Sequence, residues 1–271
     1  MDVQLIKGKF TEVLPRVKHT LNPSSCIPSS TLSRIFPLID NAMFEIQDLT
    51  EVSNINVSEL LFCHRKIVFQ RINPVAQTDT YQSSYGKSFH LAIQSILTRY
   101  PEELEIEKKV IYNCSNFYDK SNIRSTIFVV GKIDLYDRKT QVPLEFKFPT
   151  SNEEITEPKS YHLQQLKYYM TMQNSAYGVL LYFPPDHDMQ LEVISAFLVS
   201  MNDEELYTEH KKLISNALAV HKAIASRDPT QASHVAYDRS LSWLCKTCPY
   251  SDKCLSTRIQ HNGFSNMAKT K

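Results

Sequence analysis

The sequence predicts an α/β fold with a mixed central sheet flanked by helices. Three observations lead there. Periodic segments follow the order helix, strands, helix, strands, helix; two strand-like runs near the middle are joined by a polar turn; and a long helix with a capping signal follows the last strand. Residues 1–56 are mixed, with prolines at 15, 23, 28 and 37 and no sustained period, and read as an N-terminal extension of unknown role. From Ser58, a suitable N-cap, ELLFCHRKIVFQR predicts a helix over 59–71 with Leu60, Leu61, Ile67 and Val68 among its apolar positions. Phe89, Ile93, Ile96 and Leu97 recur at helical spacing and predict a second helix over 83–99, with His90 beside the apolar stripe. EIEKKVIYN at 105–113 and STIFVVGKIDLYD at 125–137 are strand-like. The turn 138–141 then leads into VPLEFKF at 142–148, so these last two runs form a hairpin. A helix over 160–173, strands at 176–183 and 190–200, and a helix over 203–226 follow, the last opening with Asn202 and Glu205 in capping-box spacing. A cysteine-bearing segment comes next, and residues 257–271 are expected to be a mobile tail.

Composition narrows the class. The 271 residues, 42% hydrophobic and 22% charged, suffice for a sizeable soluble core. No apolar run approaches the ~20 residues of a membrane span, and the start MDVQLIKGKF lacks the build of a signal peptide, so a cytoplasmic location is expected. In that setting six cysteines point to metal ligands, catalytic groups or buried small side chains rather than disulfides. A net charge of +1 excludes a global basic field for nucleic acid. Positive charge for DNA must then be local: Arg65, Lys66 and Arg71 form one patch, and Lys246, Lys253 and Arg258 another.

The hairpin carries the candidate chemistry. It holds G-K-I-D at 131–134 and E-F-K at 145–147. Glu145 and Lys147 share a strand face, and a turn centred near residue 139 sets Asp134 across from Glu145. Two carboxylates on a rigid sheet suit a hard divalent cation such as magnesium or manganese. A neighbouring ammonium can orient a water and neutralise charge developing on a phosphoryl group. Glu-x-Lys by itself carries little weight, since it recurs at Glu107/Lys109, Glu157/Lys159 and Glu209/Lys211. Three features of context raise it: the apolar alternation of Leu144, Phe146 and Phe148, the glycine three residues before Asp134, and the upstream helix with His90.

At these residues the chain resembles the PD-(D/E)XK nucleases, and within them the RecB-like branch. Q-L-K-Y-Y at 165–169 is similar to that branch's glutamine, leucine and later tyrosine. Positions i and i+4 share a helix face, so Gln165 and Tyr169 reach one site together. Gln164 and Tyr168 have the same spacing, and Leu166 favours the first register. The resemblance implies a metal held by His90, Asp134, Glu145 and the backbone carbonyl of Phe146, with Lys147 as the catalytic lysine. Gly86 and Ser88 precede His90 and are expected to permit a close helix start.

Near the end, Cys245, Cys248 and Cys254 are spaced C-x2-C-x5-C. RecB-like nucleases of one group combine such a triad with a cysteine ahead of the nuclease core to hold a [4Fe-4S] cluster, which implies Cys63 as the fourth ligand. Four thiolates serve zinc equally well, and His64, standing where the family often has proline, is an alternative ligand. Both motif sets together resemble the CRISPR-associated exonuclease family of the Cas-four type over roughly residues 57–256, with Cys63 and 240–256 forming an iron–sulfur subdomain. The resemblance implies a nuclease for single-stranded DNA or overhangs that processes spacer precursors beside a Cas-one and Cas-two integrase. Two other functions remain open: a stand-alone repair exonuclease of the same chemistry, and a non-catalytic DNA- or protein-binding homologue. No Gly-rich phosphate loop of a fused helicase occurs. Cys26 and Cys114 are expected to be buried small side chains.

Overall fold

Val, Ile, Phe and Tyr dominate the runs that pair into one seven-stranded mixed sheet, because branched and aromatic side chains pack well on a pleated surface. The computed structural model describes residues 1–8, 54–75, 86, 88, 90–93, 95, 97, 98, 102–114, 127–149, 154–183, 194–234 and 242–254. The strands are β1 (Asp2–Gly8), β2 (Asn54–Asn56), β3 (Leu104–Asn113), β4 (Phe128–Asp137), β5 (Val142–Lys147), β6 (Tyr177–Tyr182) and β7 (Ile194–Ser200). Their order is β1-β7-β6-β5-β4-β2, with β3 also paired to β4. The helices are α1 (His64–Ile72), α2 (Ser160–Gln173) and α3 (Asp203–Ala225), with a 3-10 turn at Val57–Leu61. Residues 86, 88, 90–93, 95 and 97 are helical as well. Among the described residues no helix is long and apolar enough to cross a membrane.

The hairpin forms as the sequence predicts. Leu135 pairs with Leu144 and Asp137 with Val142. Asp137 Oδ1 accepts the N–H groups of Lys139 and Thr140 at 2.9 and 3.2 Å, an Asx-type turn. Helix α2 connects β5 to β6, which pair in parallel from Leu144↔Val179 to Lys147↔Tyr182. The capping box of α3 is present, with Glu205 N–H on Asn202 Oδ1 and Asn202 N–H on Glu205 Oε2, both 2.9 Å.

Two elements differ from the sequence reading. The helix expected over 59–71 is divided: the 3-10 turn ends at Leu61, and α1 starts after an extended Cys63. Asn56, rather than Ser58, caps the first piece, because Glu59 reaches back to its N–H at 2.7 Å. The competing capping box Asn56-x-x-Glu59 lay two residues ahead of the signal that was read. Residues 2–8, without a visible period, form the edge strand β1, in register with β7 from Asp2↔Ser200 to Gly8↔Ile194. Most of the remaining N-terminal stretch, with Cys26, lies outside the described residues, as do residues 190–193 and the tail 257–271.

Packing sets the two faces. Leu144, Phe146, Val179, Leu181, Ala196 and Leu198 pack with Ile93 and Leu97 on one side of the sheet. Leu180, Tyr182, Phe197 and Val199 pack with Leu166 and Met170 of α2 on the other. Along β4, Val129 and Ile133 join the core formed with α1 and α3, whereas Leu135 joins the Ile93 side. Strand β3 makes the same change, from Val110 and Tyr112 to Leu104. The switch falls at Glu107 and Asp134, where Glu107 takes φ 52° and drops out of the β3–β4 ladder.

Gly131 lets α2 lie close over β4. A Cβ there would stand 2.6 Å from Tyr169 Cε1 and 3.0 Å from Val57 Cγ2. Both neighbours are buried and cannot swing away. Gly131→Ala is expected to destabilise the chain by about 1–3 kcal/mol, measured as a lower urea midpoint with unchanged m-value; an unchanged midpoint would show the contact to be slack.

Candidate active site

A strand has two hydrogen-bonding edges. In β4 one edge is occupied by β3 along most of its length. The other is shared: β2 pairs in parallel with Phe128 to Val130, and β5 pairs antiparallel with Leu135 to Asp137. Among the described residues, no strand pairs with 131–134 on that edge. Continuing the β4–β5 register would pair Asp134 with Glu145, but the ladder stops at Leu135↔Leu144. Instead, Asp134 Oδ2 accepts the Phe146 N–H at 2.7 Å, so a side chain takes the place of a main-chain acceptor and props the fork open.

Side chains from both faces of the sheet meet at this fork. From the Ile93 side, His90 Nδ1 comes to 3.5 Å from Asp134 Oδ1, its ring set edge-on to Phe148 at 4.9 Å. From the α2 side, Lys147 Nζ donates to Glu145 Oε1 at 2.6 Å and to Gln165 Oε1 at 2.9 Å, and Gln165 Nε2 donates to the Tyr169 hydroxyl at 3.3 Å. Gln165 and Tyr169 face the site, whereas Gln164 bonds Glu209 of α3 and Tyr168 accepts from Asn216 of α3. The helix start that Gly86 and Ser88 were expected to permit lies outside the described residues; among those, a Cβ on Gly86 would meet nothing within 4 Å.

The electrostatics follow from burial. Glu145 is 3% exposed and His90 28%, so the site grades from dry to wet across a few ångströms. Desolvation raises the Glu145 carboxyl well above the carboxylate range; the Asp134 charge adds to this and Lys147 opposes it. Asp134 is raised by the same burial, against the pull of Lys147 and of the Phe146 N–H. Burial also lowers His90. Glu145 Oε2 is buried with no hydrogen-bond partner among the described residues. A buried carboxylate with an unpartnered oxygen beside a half-buried one matches the hard donors a divalent cation takes. Among the described residues, no three His, Cys, Asp or Glu side chains are gathered closely enough to hold a metal ion.

The cysteine segment packs against α1. Phe69 stacks on Tyr250 at 5.5 Å, and the Tyr250 hydroxyl donates to Asn73 O at 3.0 Å. Arg65 Nη1 reaches Cys254 Sγ at 3.8 Å, and Cys248 packs beside Cys254. Cys63 is the N-cap of the same helix. Cys63, Cys245, Cys248 and Cys254 are not joined in disulfides, and Cys114 is fully buried, as expected. Both nitrogens of His64 are used: Nε2 donates to Leu60 O at 3.2 Å and Nδ1 accepts from the Ser233 hydroxyl at 2.8 Å. Of the basic residues expected on DNA, Lys246 is exposed and Lys66 half-buried, while Arg71 is paired with Glu59 at 3.0 Å. The sequence reading passed over Glu107, which stands across β3–β4 from Asp134 with its carboxylate on Lys132 at 2.7 Å, and His162, one helical turn before Gln165. That turn spacing was the available signal for His162.

No protein-family model matches the sequence, and no curated protein sequence matches it either. Solved structures are similar. SSO0001, known by its crystal structure, aligns with TM-score 0.50 and 19% identity over 90% of this chain and 95% of that one; the likeness is one of fold. LHK-Exo, an alkaline exonuclease from Laribacter hongkongensis, aligns with TM-score 0.42 and 11% identity over 65% of this chain and 93% of its own. A phage-related exonuclease from Haemophilus somnus 129PT aligns with TM-score 0.41 and 13% identity over 64% and 95%. At TM-scores below 0.5, these two are likenesses only.

The raised carboxyls predict a pH signature. Folding lifts both pKa values above those of the unfolded chain, so the folded state retains protons that the unfolded state has lost. Stability is then full below about pH 4 and declines as pH rises through the folded values. Asp134→Asn removes one charge and keeps an oxygen for the Phe146 N–H. The metal-free variant should exceed the parent by about 1–2 kcal/mol at pH 8, a midpoint ~2–8 °C higher. The gain should shrink toward pH 4, and added manganese should raise the midpoint of the parent but not of the variant.

Proposed function

We propose that this chain is a metal-dependent DNA nuclease of the RecB-like PD-(D/E)XK kind, acting on single-stranded DNA or overhangs. One observation carries the reading: Asp134, Glu145, Lys147, Gln165 and Tyr169, spread over two strands and a helix, converge at the fork, with Glu145 Oε2 left unpartnered. Asp134 and Glu145 with the Phe146 carbonyl would hold magnesium or manganese, His90 being drawn in from its present place to complete the set, and the metal when bound would supply Lewis-acid stabilisation and lower the pKa of an attached water. The remaining work falls to the chain's own groups. Lys147 donates a charged hydrogen bond toward a phosphate oxygen and offsets charge developing there. Its ammonium is aimed by Glu145 on one side and Gln165 on the other, and Gln165 is itself fixed by Tyr169. Lys66, Arg65, Arg71 and Lys246 would supply contacts to the DNA backbone.

The cysteines extend the reading. Cys63, Cys245, Cys248 and Cys254 would ligate a [4Fe-4S] cluster, supported by the packing of their two distant segments against each other. Metal binding would have to draw the thiols into a closed ligand set. A cross-link between such distant segments limits the unfolded chain strongly. The resemblance in sequence further supports a role in processing spacer precursors with a Cas-one and Cas-two integrase.

Glu145→Ala and Lys147→Ala should each lower manganese-dependent cleavage of an overhang substrate by about 10²–10³-fold or more while leaving the circular dichroism spectrum unchanged; full activity in both would overturn the site. Protein purified without oxygen should be brown and carry iron and sulfide, whereas a colourless, zinc-loaded chain would overturn the cluster. Co-purification with an integrase tests the adaptation role.

A further inference from the structure

Beside the fork lies a hydrogen-bonded chain with no part in the site described above. Tyr182 is the register partner of Lys147 across the parallel β5–β6 pair, so the two side chains leave the sheet on the same face. The Tyr182 hydroxyl accepts the Lys159 N–H at 3.0 Å and stands 2.9 Å from His162 Nδ1. Tyr182 is 1% exposed, and its proton meets no other acceptor among the described residues. A buried hydroxyl proton goes to an acceptor where one is in reach. It therefore goes to His162 Nδ1, and the neutral ring must carry its own proton on Nε2. Burial, reinforced by the charges of Lys147 and Lys159, keeps the ring neutral far below the ordinary histidine range. Nε2–H has no hydrogen-bond partner among the described residues, and His162 sits on α2 one turn before Gln165, which holds Lys147.

We propose that His162 is a DNA-contacting residue of this site, its Nε2–H donating a hydrogen bond to a phosphate oxygen of the strand held beside Lys147. The proposal rests on the nuclease reading. A neutral donor locked in one tautomer binds phosphate without a charge to desolvate and takes no part in proton transfer. Its contribution is to substrate binding, and it should appear in KM rather than in kcat.

Two variants separate the two ring nitrogens. His162→Asn keeps an oxygen near the Nδ1 position for the Tyr182 hydroxyl and loses the outer donor; His162→Gln keeps an N–H near the Nε2 position. Expected are a KM for overhang DNA raised about 10–100-fold in H162N, with kcat and thermal midpoint little changed, and a KM near that of the parent in H162Q. Nitrogen-15 NMR of the full chain in EDTA should show His162 as the Nε2–H tautomer, with its ring signals shifting when a short single-stranded oligonucleotide is added. The Nδ1–H tautomer, ring signals unmoved by the oligonucleotide, or a parental KM in H162N would each overturn the proposal. If the parent chain cuts no DNA, the nuclease reading fails on its own. The NMR titration still decides the DNA contact, a shift sustaining it and no shift refuting it.

Discussion

The site depends on one strand edge that two neighbours must share. β3 takes one side of β4, and β2 and β5 divide the other, leaving 131–134 without a strand there among the described residues. An unpaired edge inside a sheet leaves main-chain groups unmet, and the Asp134 carboxylate meets the nearest, the Phe146 N–H, at 2.7 Å. Because no strand closes the gap, His90 from one layer and Lys147 and Gln165 from the other approach the same carboxylates. In a continuous sheet they would be separated by it. Gly131 completes the arrangement by letting the Tyr169 ring lie against that edge, where its hydroxyl bonds the Lys132 main chain.

Such a site is costly for the fold that carries it. A buried carboxyl and a half-buried one lie within reach of one another, one oxygen has no partner among the described residues, and Glu107 opposite them sits in the left-handed region. Strain of this kind persists only where surrounding structure holds it. Here three packed layers do so: the Ile93 side, the Leu166–Met170 side, and the α1–α3 core. The polar chain from Lys147 through Gln165 to Tyr169 offsets part of the burial cost, since each member has its partner. The same principle applies at the neighbouring hydrogen-bonded group, where the Tyr182 hydroxyl accepts the Lys159 N–H and meets His162 Nδ1 at 2.9 Å.

The cysteine segment is held differently, by apolar stacking and a few main-chain bonds. Phe69 on Tyr250, Tyr250 on Asn73, and Arg65 reaching both Thr230 and Cys254 bring residues from near the two ends of the periodic chain onto one helix. His64 is committed at both nitrogens to Leu60 and Ser233 and belongs to that scaffold.

Much of this was written in local pattern. Alternation at 142–148 determined which face of β5 is charged, the turn at 138–141 determined the hairpin register, and Asn202 with Glu205 determined where α3 begins; each depends on neighbours a few residues away. Where two local signals competed, as Asn56 and Ser58 did, the pattern alone could not arbitrate, and in β1 the adjacent Leu5 and Ile6 break the alternation that would have marked it. Leu166 already favoured Gln165 over Gln164, but what places Gln165 on Lys147 is tertiary, the side of α2 that α3 covers. Only the tertiary structure decided that the β4–β5 ladder stops at Leu135: a split edge is a relation among four strands, and no window of sequence contains it.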